Sequence, residues 1–174
     1  MNELGSEQEL VDAVARRLER WFVVEREVWG KHCSGRDLRV DAMIRPRDPS
    51  NWANPDVAFG VEFKASSSLD GVKGLTKWFA QAVDYTHVDW PGYGRCVVLM
   101  CPGADAWMRA QWSVGEGADL HIFKRVMGQQ NVGELVLRWD AGFSILVNDG
   151  KVWSERYGVA NGKNWSLSVR TGAR

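Results

Sequence analysis

Two carboxylates and an amine stand at spacings that paired strands would bring together. Asp41 lies in Arg39-Val40-Asp41-Ala42-Met43-Ile44, and Glu62 and Lys64 lie in Gly60-Val61-Glu62-Phe63-Lys64. Around them Leu38, Val40, Ala42 and Ile44, and then Val57, Phe59, Val61 and Phe63, alternate at the period of a strand. If residues 38–45 and 57–64 are antiparallel neighbours in the register that sets Arg45 against Ala58, Asp41 faces Glu62. Directly opposed side chains share a face with Cβ atoms about 5 Å apart. Like charges so placed repel unless a cation fills the gap. Lys64 is two residues past Glu62 and shares its face. An ammonium there can orient or deprotonate a water and stabilise a phosphate in its transition state. Ala58 and Gly60, on the same face, are small and leave room for a substrate. The chemistry these residues suit is cation-assisted hydrolysis of a phosphate ester. The competing reading is a surface charge cluster, a feature usually worth little.

Other acids and nucleophiles fit less well. Asp56, in Pro55-Asp56, is six residues before Glu62, which is about 20 Å along one strand. The two could not share a cation, and Asp48 sits in a loop. His32, His87 and His121 have no ligand spacing. Cys33, Cys96 and Cys101 form no CxxC pair, so a zinc ribbon or iron–sulfur cluster is not expected. Cys96 and Cys101 lie near a strand end, but no His accompanies them as a base for nucleophilic chemistry.

The elements that must position the acids can be read from periodicity. Ser6 and Glu9 have capping-box spacing, and Leu10, Val11, Val14 and Leu18 follow at helical spacing, predicting a helix over residues 6–21. Glu7 shares its buried side, whereas Glu9 goes with Ala13, Arg16 and Arg20 toward solvent. Strands are predicted over residues 22–29, 38–45, 57–64 and 96–100. Residues 46–55 read as a loop and 66–74 as a polar connection. Helices are predicted over 75–87 and 104–112. In the C-terminal part Leu135, Leu137 and Trp139 form one alternating run, and Asn148-Asp149-Gly150 joins 143–147 to 152–157 as a hairpin.

The order helix, strand, strand with Asp41, strand with Glu62-Phe63-Lys64, helix, strand resembles the PD-(D/E)XK nuclease superfamily over residues 6–100. Val40, not Pro, precedes Asp41. The resemblance implies an α/β fold with a restriction endonuclease-like core, a mixed central sheet flanked by helices and here a C-terminal β-hairpin extension. It implies a DNA nuclease dependent on Mg2+ or Mn2+, giving 5′-phosphate and 3′-hydroxyl ends, an endonuclease of phage, mobile-element or restriction origin. Asp41, Glu62 and the backbone carbonyl of Phe63 would hold the metal, with Glu7 on the first helix as a third acid. Lys64 would position the attacking water. Gln81-Ala82-Val83-Asp84-Tyr85 is similar to the QxxxY motif of the RecB-like branch. That likeness makes Gln81 a catalytic candidate and Tyr85 a substrate-binding one, and Lys77 shares their face. Ser66, Lys73 and Lys77 could contact backbone phosphates.

Composition bounds these expectations. The 174 residues suit a single domain, with a core over about 6–103 and a Trp-rich β extension over about 132–170. Lys and Arg number 22 and so do Asp and Glu, so no net positive field advertises DNA, although a basic groove is compatible with zero net charge. The N-terminus has no signal pattern and no apolar run is long enough to cross a bilayer, so a cytoplasmic, membrane-free protein is expected. Ten Trp are many, and most should be buried anchors. The Trp-rich tail could extend the sheet, bind DNA or make a homodimer. Two further readings stay open: a Holliday junction resolvase, and a catalytically inactive nuclease-like module that binds nucleic acid or protein.

Overall fold

Leu10, Val11, Val14 and Leu18 form one stripe on α1 (Glu7–Leu18), and burial of Val11, Val14, Ala15 and Leu18 follows it. The helix stops short of residue 21: the Trp21 amide bonds the Leu18 carbonyl and the chain turns into β1 (Phe22–His32). Gly35, at φ 86°, carries the turn into β2 (Asp37–Pro46), a conformation in which a Cβ would be strained. Then follow β3 (Phe59–Phe63), α2 (Gly71–Thr86), β4 (Val88–Asp89), β5 (Val97–Cys101), α3 (Gly117–Gln129), β6 (Val132–Arg138), β7 (Gly142–Val147), β8 (Gly150–Ser154) and β9 (Gly158–Val159). The structure, a computed structural model, describes residues 7–65, 71–104 and 117–160, with backbone alone at 71–72 and 117–120.

The fold is α/β: a mixed nine-stranded sheet in the order β4-β1-β2-β3-β5-β6-β7-β8-β9, with three helices among the described residues. Neighbours β3, β5 and β6 are parallel, and the connections between them carry α2 and α3, as parallel pairing requires. The remaining pairs are antiparallel. One apolar layer joins α1 to Phe59, Val61, Phe63, Val97, Leu99 and Leu135. The other joins α2 and α3 to Ala58, Val98, Met100 and Val132. The C-terminal strands are continuous with the sheet, and Phe143, Ile145 and Trp153 belong to the α1-side layer.

The strict alternation expected along residues 38–45 does not hold. Leu38 and Val40 pack on the α2 side, but Ala42 and Ile44 pack on the α1 side. β1 slips in the same place, with Phe22 and Val24 on the α1 side and Val28 on the α2 side. The rungs Arg26–Ala42 and Val28–Val40 keep one register, and Glu27, at φ 53°, lies between them opposite Asp41.

Other boundaries differ too. β3 is shorter than 57–64, and α2 begins four residues before 75. The helix expected over 104–112 falls on residues 105–116, outside the described ones. α3 has no counterpart among the expected elements; its Phe123 and Met127, four apart, pack inward. Trp139 does not extend its strand: β6 ends at Arg138 and Trp139 is 98% exposed. The hairpin is present as a two-residue turn, with Asn148 and Asp149 at φ 53° and 63°. No helix among the described residues is long and apolar enough to cross a membrane.

Candidate active site

The β2–β3 ladder pairs Ala42 with Val61, Met43 with Gly60 and Ile44 with Phe59. One further step along this register sets Asp41 against Glu62. Asp41 sits at the slipped rung, and its Oδ2 accepts the Phe63 amide hydrogen at 2.8 Å. Main chain therefore holds one oxygen of this carboxylate. Glu62 is 2% exposed. Its Oε1 accepts from Gln81 Nε2 at 2.8 Å, and the same amide nitrogen donates to Tyr85 Oη at 2.8 Å. Gln81 and Tyr85 are one turn apart on α2, so the helix presents both to the strand. Lys64 lies just past β3, its amide bonded to the Cys101 carbonyl at 3.0 Å. Its Nζ is 3.9 Å from Glu62 Oε1 and 3.6 Å from Glu7 Oε2. Glu7, in the first turn of α1, is thus the helix acid that reaches this cluster.

The electrostatics follow from burial. Glu62 is pushed up to about 9, first by desolvation and then by the charge of Asp41, with Lys64 opposing. Asp41 is also raised by burial, against the lowering pull of the Phe63 amide, Glu62 and Lys64. The two carboxyls are close enough to hydrogen-bond to each other, so at neutral pH the pair retains a proton. Glu62 Oε2 is buried without a hydrogen-bond partner. Tyr85 is pushed up to about 12 by burial and by Glu62, and it stays a phenol at neutral pH.

The donor set suits a hard divalent cation: two carboxylates, one with an orphaned buried oxygen, beside backbone. Mg2+ commonly takes one or two protein carboxylates and keeps several waters. Among the described residues no three His, Cys, Asp or Glu side chains form a group able to hold a metal ion by themselves. Glu7 joins the acids through Lys64.

The other expected residues are spread around this centre. Lys73 and Lys77 are exposed on α2, and Ser66 lies outside the described residues. Tyr85 is buried, its ring edge-on to Trp90 at 5.9 Å. Asp48 and Asp56 are exposed in the loop before β3. Ala58 and Gly60 leave no open space, because both are buried and Val98, Val40 and Met43 pack around Gly60. Burial pushes the Cys96 thiol up to about 12 and raises Cys101 as well, which removes the thiolate that a cysteine nucleophile needs.

A second buried ionic group escapes the sequence reading. Lys124 Nζ on α3 lies 3.4 Å from Glu134 Oε2 and 3.3 Å from Asp149 Oδ1, and His121 Nδ1 is 2.8 Å from Asp149 Oδ2. Glu134 Oε1 also accepts the Ala104 amide hydrogen at 2.7 Å. Glu134 stands in the apolar run Val132-Gly133-Glu134-Leu135-Val136, and a charge in such a run signals a buried, partnered group. Glu62, Met100 and Glu134 occupy one rung across β3, β5 and β6.

No family model matches the chain, and no curated protein or solved structure gives a significant match.

Proposed function

We propose that the chain is a divalent-cation-dependent DNA nuclease with a restriction endonuclease-like core of the PD-(D/E)XK kind. The observation that carries this reading is the Asp41–Glu62 pair, mostly buried and within proton-sharing reach, with a buried oxygen lacking a partner and an ammonium alongside. Such a pair costs stability unless a cation or a proton compensates it. Perturbed carboxylates gathered at one end of parallel strands are the arrangement expected of a working site.

Asp41, Glu62 and the Phe63 carbonyl would hold Mg2+ or Mn2+. When bound, the cation lowers the pKa of a coordinated water and offsets charge on the phosphate. The side chains of the chain do the rest. Lys64, partly exposed, orients the water and meets the developing charge on the phosphate oxygens. Gln81 fixes the Glu62 carboxylate, and Tyr85 fixes Gln81. The water oxygen bonds to phosphorus in line with the departing 3′ oxygen. The P–O3′ bond breaks and the 3′ oxygen takes up a proton, leaving a 5′-phosphate and a 3′-hydroxyl.

The test is cleavage of supercoiled, linear, single-stranded and four-way-junction DNA with Mg2+, with Mn2+ and with EDTA. Cleavage should need the cation. Asp41→Asn, Glu62→Gln and Lys64→Met should each lose about a hundredfold or more while melting as folded proteins. Full activity in Glu62→Gln overturns the assignment. Preference for the four-way junction would select a resolvase.

A binding module without catalysis is the second reading, favoured by one observation: among the described residues only two acids meet directly, and Glu7 already pairs with Lys64. Calorimetry separates the readings, since such a module takes up no Mg2+ or Mn2+ at Asp41 and Glu62.

A further inference from the structure

The C-terminal end of α1, the β6–β7 turn and the residues just after β8 line an open cleft of about 480 Å³ that does not include Glu62. We propose that this cleft binds an unpaired nucleic-acid strand, with Trp139 as the stacking platform and Arg16, Arg20 and Arg156 as phosphate contacts. This rests on the nuclease reading and assigns that activity a substrate flank.

The charges in the cleft divide into two kinds. Arg17 is locked onto Glu155 through Nε and Nη2, at 2.7 and 2.6 Å, and Asp140 is held from outside the lining by Arg138 at 3.1 Å. These pairs build the walls. Arg16, Arg20 and Arg156 form no ion pair with a described residue; Arg16 Nε and Arg156 Nη1 bond only backbone carbonyls, of Asp12 and Asp140, which leaves their charge uncompensated. Four arginines line the cleft against Asp140 and Glu155, a positive spot on a chain of zero net charge. The Arg20 guanidinium lies over Trp21 at 5.3 Å and that of Arg156 over Tyr157 at 5.4 Å, which orients both planes. The Arg156 bond to the Asp140 carbonyl is 3.3 Å long, so its remaining N–H groups are the ones a phosphate would meet.

Trp139 supplies the second half of the chemistry. At 98% exposure its ring faces are open, in a protein that buries Trp52, Trp78, Trp90 and Trp153. An open aromatic face beside arginines is the composition of single-strand binding surfaces. A duplex fits it poorly, because each paired base is already covered on both faces by its neighbours.

The position gives the ligand a length. α1 starts at Glu7, against Lys64, and reaches Arg17 ten residues on, about 15 Å along the axis. A stacked strand advances about 3.4 Å per nucleotide, so about four or five nucleotides separate the cation site from the cleft. The cleft therefore grips the flank rather than the bond that breaks.

The experiment is fluorescence anisotropy with labelled oligothymidylates of increasing length and a labelled duplex, all in EDTA so that cleavage plays no part. Wild type should bind the single strand more tightly than the duplex, and should do so with strands of about five nucleotides as well as longer ones, because the cleft alone supplies the contacts. Trp139→Ala should weaken binding about tenfold or more. Arg16→Ala with Arg20→Ala should lower the log–log salt slope by about 1.4. Wild-type affinity in Trp139→Ala, absence of binding by wild type, or equal competition by polyglutamate overturns the proposal. Binding of this kind without cleavage under any divalent cation instead removes the nuclease reading and leaves the cleft assignment standing. Cleavage with unaltered Trp139→Ala binding does the reverse.

Discussion

Glu62 is a carboxyl placed where its charge is costly, and this makes a titration measurable. Its pKa is about 9 folded against 4.5 ordinarily, so the folded state holds the extra proton between those values. The stability due to neutral Glu62 is complete below about pH 4.5 and is lost as pH rises through 9. In EDTA the melting temperature of wild type should therefore fall across that interval more steeply than that of Glu62→Gln. Parallel profiles would show that Glu62 carries no such proton. Gln81 acts one step further out, through the Glu62 oxygen that it holds. Removing a group that orients a ligand typically costs about 10- to 100-fold in metal affinity. Gln81→Leu should raise the Mg2+ concentration for half-maximal cleavage by that factor, with excess Mg2+ restoring most of the rate.

At the scale of elements, the ion group on α3 is a lock between helix and sheet. Lys124, with its side chain 7% exposed, sits between Glu134 on β6 and Asp149 at the β7–β8 turn. Removing one member of a buried ionic group strands the others. Lys124→Met should cost about 3–5 kcal/mol in urea unfolding. A loss under about 1 kcal/mol would mean that the group is solvated like a surface pair. The Asn148-Asp149 turn is legible because turn chemistry is a local signal, and the β2–β3 register, which alternation alone does not fix, is the one supposed from setting Asp41 against Glu62. The slip at Asp41 is not, since Leu38, Val40, Ala42 and Ile44 still alternate in the sequence while facing different layers in the fold. α3 is hidden because its inward-facing Phe123 and Met127 flank a Lys that reads as solvent-facing until Glu134 is seen opposite.

Across the whole molecule, α/β architecture follows from alternating helix and strand patterns, whereas strand order does not. Nothing in the sequence says that β6 joins β5 in parallel, so the tail reads as an appendage to the first hundred residues. It is one flank of a nine-stranded sheet, and Leu135, Phe143, Ile145 and Trp153 pack in the layer that covers Phe59 and Val61. A chain ending after Gln130 should accordingly lose near-UV circular dichroism and expose dye-binding apolar surface. A cooperative melt in that fragment would show that the layer closes without the last four strands. The candidate site is legible in its acids and amine because three residues on neighbouring strands suffice to build it. Glu7 is legible too, from its place on the buried side of the first helix, although its partner in the fold is Lys64. The arginine cleft depends on how α1 lies across the sheet, which periodicity does not encode.

The hairpin of β1 and β2 misses step on both strands at one rung and recovers together. Trimming a residue from either strand alone would therefore put every later side chain of that strand out of phase with its partner, whereas removing Glu27 and Asp41 together would restore a regular ladder. Shortening this hairpin has to be done in pairs, and the one pair whose loss would regularise the backbone contains the carboxylate that the site depends on.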